Sequence, residues 1–264
     1  MIDHKIRIGV LISGGGSNLQ ALMDSCDAGK LNGRIVFAGS DNPGAAGLAR
    51  AREKGIPVFS VNYSDIIKGV RQGSITPPDD FDFNDSYSKQ GLFGKDADPE
   101  KVRIFLESRA ACESELLRHI FSYEFDVLAL AGFMRTLSPY FIDRVNTDPF
   151  LPRIMNIHPA LLPSFPGVDG YGDTFRYGCR VAGCTVHFVD YGEDSGPIIG
   201  QKSFQILPED TLESVKSKGL EYEWQLYPEC VQLFAEGRLT VVKEKYELKN
   251  GKAHERKIVR ISNN

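Results

Sequence analysis

Three short stretches of the chain hold residue types that can move protons or hold anions. The first is Asn156-Ile157-His158-Pro159. In extended backbone alternate side chains share a face, so Asn156 and His158 point one way and Ile157 the other. An amide donor beside an imidazole suits oxyanion stabilisation and general acid–base work. The second is Asp194, in Gly192-Glu193-Asp194-Ser195-Gly196-Pro197. A turn of this composition can project one carboxylate inward, where it raises the pKa of His158 and selects its tautomer. The third is Ser13-Gly14-Gly15-Gly16-Ser17-Asn18-Leu19. Glycines let backbone approach an anion closely, and the start of a following helix offers free N–H groups and a partial positive charge. Leu19 stands where a dinucleotide fingerprint has its third glycine, and no Gly-Lys-Ser/Thr follows, so neither nucleotide motif fits. What does fit is a monophosphate cradle of Gly14, Gly15 and Gly16, with Ser17 and Asn18 adding side-chain donors.

Each stretch also has a plainer reading. An isolated Asn-x-His reads as a core-edge histidine, Asp194 as a solvated turn acid, and the glycine run as a tight turn capped by Ser17 or Asn18. Glu193 reads as solvated, and His187, between Val186 and Phe188, as a structural histidine. The chain contains no G-x-S-x-G elbow, no H-E-x-x-H and no clustered metal-ligand set, so no covalent or metal mechanism is expected. The five cysteines are scattered without a C-x-x-C pair, which reads as reduced thiols in a cytosolic protein.

The elements around these stretches follow from apolar periodicity. Lys5 to Ile12 reads as a strand that stops at the glycine run, and a helix follows with apolar positions 19, 22 and 23. Arg34–Ser40 is a second strand, Ala45–Lys54 a second helix, and Pro57–Asn62 a third strand. That βαβαβ rhythm predicts a parallel sheet with right-handed crossovers. Residues from about 68 to 101 break the rhythm; their aromatics suggest an ordered flap. Pro99–Phe121 reads as a helix, Asp126–Phe133 as a central parallel strand, and Arg153–Ile157 as the next strand, with Asn156 and His158 at its carboxyl end. Cys184–Val189 and Pro197–Ile206 predict an antiparallel edge, Glu209–Glu236 a long amphipathic helix, and Leu239–Ile261 a hairpin around Asn250-Gly251. The fold class is therefore α/β: a Rossmann-like, mostly parallel sheet with helices on both faces and an antiparallel edge. Two parts are expected, a main domain over 1–238 with an insertion near 68–100, and a hairpin-like tail over 239–264.

The 264 residues, 42% of them hydrophobic, can bury a sizeable core. A net charge of −4 argues against broad nucleic-acid or membrane-surface binding. No stretch approaches a membrane span, and the N-terminus carries no signal-peptide apolar region, so a cytoplasmic protein is expected.

Taken together, four stretches resemble the phosphoribosylglycinamide formyltransferases of purine biosynthesis, within the folate-dependent formyltransferases. They are Gly9–Leu22, Leu130–Pro139, Asn156–Pro163, and Val186–Val189 continuing through Asp194–Pro197, in the family's order. The resemblance implies 10-formyltetrahydrofolate as co-substrate, glycinamide ribonucleotide as acceptor, no metal and no nucleic-acid partner, and a monomer or homodimer. By position, Asn156, His158 and Asp194 correspond to the catalytic set, and Gly14 to Asn18 to the phosphate site. Met134, Arg135, Thr136 and Leu137 correspond to the folate pocket, Arg109 to an arginine that meets an anionic group, and Glu223 to an acidic position near the glycinamide end. The set Asn…His…Asp is shared with formyltetrahydrofolate deformylases and methionyl-tRNA formyltransferases, whose extra N-terminal or C-terminal domains this chain does not match. One departure stands out. After Pro166-Gly167 the family reads about Leu-His-x-His-Arg-x-Ala, whereas this chain reads Val168-Asp-Gly-Tyr-Gly-Asp-Thr174. Because that segment flanks the site, the acceptor is open to a different amine, to water in a formyltetrahydrofolate hydrolase, or to none in a folate-binding protein.

Overall fold

The computed structural model describes residues 5–94, 96–247 and 253–263. The stretch before Lys5 and the expected turn at Asn250-Gly251 lie outside the described residues. In chain order the elements begin with β1 (Ile6–Ile12), α1 (Ser17–Asp27), β2 (Gly33–Ser40), α2 (Gly47–Glu53), β3 (Val58–Ser60), α3 (Tyr63–Arg71), α4 (Phe83–Lys89) and α5 (Pro99–Ile120). They continue with β4 (Val127–Leu130), α6 (Pro139–Val145), β5 (Ile154–His158), α7 (Gly170–Arg176), β6 (Val181–Phe188), β7 (Ile198–Gln205), α8 (Leu212–Ala235), β8 (Leu239–Glu247) and β9 (Ala253–Ile261).

Seven strands form one sheet in the order β3-β2-β1-β4-β5-β6-β7. The first five are parallel, and β6 and β7 add as the antiparallel edge. The order reverses between β1 and β4, so the loops leaving their carboxyl ends part to opposite sides and open a crevice there. Alternation along β1 assigns its two faces. Ile8, Val10 and Ile12 join the core under α1, α2 and α8, while Leu11 joins the core under α5 and α6 with Phe37 and Phe141. β8 and β9 pair antiparallel as a second, two-stranded sheet, and Leu239 and Val241 at its root belong to the same core as β1. Among the described residues no helix is long and apolar enough to cross a membrane. All five cysteines are free.

Two local expectations differ, and the expected flap is seen in detail. Asn156 and His158 lie inside β5, which runs one residue further than its apolar pattern. The irregular stretch from residue 68 begins inside α3, whose N-terminus is capped by Asn62 accepting from the Asp65 N–H at 3.3 Å. Residues 68–100 then hold α4 and dock on the main body. Arg144 pairs with Asp80 at 2.6 Å, Lys89 with Asp143 at 2.7 Å, and the Gly91 N–H donates to the Tyr191 carbonyl at 2.8 Å. That last contact reaches the turn that carries Asp194.

Candidate active site

The crevice at the β1/β4 divergence is a cavity of about 470 Å³. The glycine run forms one wall. Gly16 caps α1 with φ +69, a left-handed conformation that favours glycine, and a side chain there would also strike Gly47 of α2. The Gly47 N–H donates to the Gly14 carbonyl and Arg50 Nε to the Gly15 carbonyl, each at 2.9 Å, so α2 clamps the loop. Gly14, Gly15, Gly16, Ser17 and Asn18 all line the cavity, and the N–H groups of the first turn of α1 have no partner within the helix.

The opposite wall is the loop after β4, where Met134, Arg135, Thr136 and Leu137 line the cavity. Its shape is held by a buried carboxylate, Asp41 at the end of β2. Ser13 Oγ donates to Asp41 Oδ1 at 2.5 Å and accepts from the Met134 N–H at 2.8 Å, and Arg135 Nε donates to Asp41 Oδ2 at 2.5 Å. One side-chain set thus ties the ends of β1, β2 and β4 together. The far end of this loop is anchored by Glu113 of α5, which accepts from the N–H of Ser138 at 2.8 Å and from its hydroxyl.

Between these walls stands a cluster centred on Asp194. Its backbone has φ +48, an uncommon conformation for a non-glycine residue, which directs the carboxylate inward. Asp194 Oδ2 lies 3.1 Å from His158 Nδ1 and accepts from the Gly167 N–H at 2.9 Å. Asp194 Oδ1 accepts from Asn156 Nδ2 at 3.4 Å and lies 3.6 Å from His187 Nε2. His158 Nε2 faces the Phe165 carbonyl at 2.8 Å. Each neutral tautomer leaves a ring lone pair against an oxygen acceptor, whereas the imidazolium satisfies both contacts. Burial draws the His158 pKa below the ordinary imidazole value, against Asp194 and the Phe165 carbonyl, which favour the cation. Burial pushes the Asp194 pKa up, but His187, His158 and the Gly167 N–H together hold it below the ordinary carboxylate value.

Glu223 of α8 closes the cavity beside the glycine run and is 5% exposed. Asn18 Nδ2 donates to its Oε2 at 2.7 Å and the Tyr171 hydroxyl to its Oε1 at 2.9 Å. One turn on, the Tyr227 hydroxyl contacts the carbonyls of Met155 at 2.8 Å and Leu130 at 3.2 Å, which fixes α8 against the ends of β5 and β4. Burial pushes the Glu223 carboxyl pKa up, against these two donors.

Of the residues singled out in the sequence, Asn156, His158 and Asp194 converge, and the glycine run, the 134–137 loop and Glu223 surround them. Arg109 does not line the cavity; its guanidinium lies over Phe105 at 4.8 Å and over Tyr63 at 5.9 Å, the ring that Arg135 also approaches. Two further residues belong to the site. His187 is opposite Asn156 in the β5–β6 register, so its reading as merely structural is incomplete. Tyr171 comes from the segment that departs from the family pattern. Among the described residues no group of three or more His, Cys, Asp or Glu side chains is arranged to hold a metal ion.

The family model described as formyl transferase matches residues 6–231. The chain is 32% identical over 234 residues to a phosphoribosylglycinamide formyltransferase of Escherichia coli (strain K12), covering 89% of both chains. It is 31% identical over 247 residues to the Haemophilus influenzae protein of the same name, covering 94% of this chain and 95% of that one. Its structure is similar to glycinamide ribonucleotide transformylase 1 from Symbiobacterium toebii, with a TM-score of 0.69 at 34% identity over 98% of this chain and 95% of the other.

Proposed function

The chain belongs to the formyl transferase family, and from that premise we propose that it moves the formyl group of 10-formyltetrahydrofolate onto the amine of glycinamide ribonucleotide, in purine biosynthesis, with Asn156, His158 and Asp194 as the catalytic set. The observation that carries this reading is a single cavity whose walls are the glycine run and the 134–137 loop, with the Asp194 cluster lining the space between them.

The backbone N–H groups of Gly14 to Ser17 take the substrate phosphate, with Ser17 Oγ as a further donor. One hydrogen of the Asn18 amide is held by Glu223, which turns the side chain toward α8, and Asn18 serves the phosphate through its backbone N–H. Met134, Arg135, Thr136 and Leu137 hold the folate ring, and Arg109 supports its anionic end from the flank. Glu223 accepts from donor groups near the glycinamide end. Binding at both ends brings the amine to the formyl carbon and lowers the entropic part of the barrier. As the C–N bond forms, the carbonyl pair moves onto oxygen, where the Asn156 amide and a His158 N–H stabilise it. The His158 N–H now bonded to Phe165 and one Asn156 amide N–H now shared with His187 and Asp194 exchange those partners for the new oxyanion. Asp194 favours the imidazolium and, through a water, receives the proton of the attacking amine. Collapse then re-forms the carbonyl, breaks the C–N bond to the folate nitrogen and returns the proton taken from the amine to that nitrogen, so that tetrahydrofolate leaves. The protein is expected to act in the cytoplasm, as a monomer or homodimer.

The test is turnover with 10-formyltetrahydrofolate in the presence and absence of glycinamide ribonucleotide. Formylation of the ribonucleotide supports the reading; formate release that needs no amine contradicts it.

A further inference from the structure

Tyr171 stands where the family pattern after Pro166-Gly167 has its second histidine. It is 5% exposed, as is Glu223, and its hydroxyl donates to Glu223 Oε1 at 2.9 Å. The ring reaches this position because residue 219, one turn before Glu223 on α8, is glycine. A Cβ at Gly219 would sit 2.1 Å from the ring carbon that bears the hydroxyl. Asn18 holds the other carboxylate oxygen from the opposite side, and its own Oδ1 makes no hydrogen bond among the described residues. Two oxygen acceptors, one of them fixed by two donors, therefore face the cavity beside the glycine run.

We propose that Tyr171 is the positioning residue of the acceptor end, locking the Glu223 carboxylate so that its free lone pairs receive N–H or O–H groups of the acceptor substrate. This rests on the reading of Glu223 as an acceptor contact. A tyrosine does so with a neutral donor: it adds no positive charge beside Glu223, which stays an acceptor for a donor-rich or cationic group. Without the hydroxyl, a buried carboxylate oxygen loses its partner and the side chain is free to turn away.

The experiment is a double-mutant cycle on steady-state kinetics with glycinamide ribonucleotide, using Tyr171→Phe, Glu223→Gln and the pair. Tyr171→Phe is expected to raise KM for the ribonucleotide about tenfold, the size of a lost hydrogen bond to a charged group, with kcat and the folate KM within about twofold. In the Glu223→Gln background the same change is expected to move KM less than about twofold, since Tyr171 acts through Glu223. Tyr171→His, which keeps a ring N–H donor, is expected to stay within about threefold of the wild type. An active wild type with unchanged KM in Tyr171→Phe overturns this proposal alone, as does an effect that adds fully to that of Glu223→Gln or falls equally on both substrates. A wild type that neither binds nor turns over the ribonucleotide overturns the acceptor reading and this proposal with it.

Discussion

Asp194 is the residue on which the site turns, because Asn156, His158 and the Gly167 N–H converge, with His187 close by, on one carboxylate that its own backbone holds in an uncommon conformation. The substitution Asp194→Asn keeps the shape and removes the charge. Turnover is expected to fall at least 100-fold, a loss in the range of general acid–base catalysis, with the melting temperature changed little. Asp194 raises the His158 pKa, so its removal lets burial pull that pKa lower still. NMR titration of the His158 ring is therefore expected to show a lower midpoint in the variant; an unchanged midpoint would separate the two residues. At this scale residue type singled out Asn156, His158 and Asp194 as able to do chemistry but left a plainer reading of each open, and only the fold brings the three together. His187 was not legible, because its role depends on the register that sets it opposite Asn156, and register is a property of the β5–β6 pairing.

Glu113 joins two elements, reaching from α5 to the first residue before α6 and so anchoring the end of the 134–137 loop. Burial pushes its carboxyl up to about 7, against the Ser138 donors. A carboxyl with a raised folded-state pKa contributes stability that is complete below its unfolded pKa and is lost as pH rises through the folded value. Between about pH 4.5 and about 7 the unfolded chain has released a proton that the folded chain retains, so stability falls across that window. Urea unfolding from pH 5 to 8 is expected to show this decline, and Glu113→Gln to flatten it; a slope unchanged in the variant contradicts the assignment. Elements with an uninterrupted period, such as β1, α5 and α8, were legible from their apolar spacing. The start of α3 was not, since its signal is the short cap Asn62…Asp65 and not an apolar repeat. The docking of 68–100 was hidden for a different reason: it depends on ion pairs such as Lys89–Asp143 between residues distant in sequence.

Across the whole molecule, five parallel strands bring the ends of β1, β4 and β5 to one crevice, and an antiparallel edge returns the chain so that Asp194 faces them. The C-terminal strands share that body at their root. Leu239 is 3% exposed within the β1 core, whereas Lys243 on the same strand is exposed on its side chain. Leu239→Ala is expected to cost about 3 kcal/mol in urea unfolding and Lys243→Ala less than about 0.5. Equal small effects would make the strands an independent appendage. The parallel rhythm and the edge were legible in the order of apolar runs. The closeness of Glu223, near the end of the chain, to Asn18, near its beginning, was not, because only the packing of α8 on α1 creates it. The central claim is that this assembled cavity directs a formyl group to a phosphate-bearing amine. The most direct measurement is the ratio of formylated glycinamide ribonucleotide formed to tetrahydrofolate released, with formate assayed in parallel. A ratio near one, with no tetrahydrofolate released when the amine is omitted, is the predicted result; tetrahydrofolate and formate appearing together without the amine would contradict it.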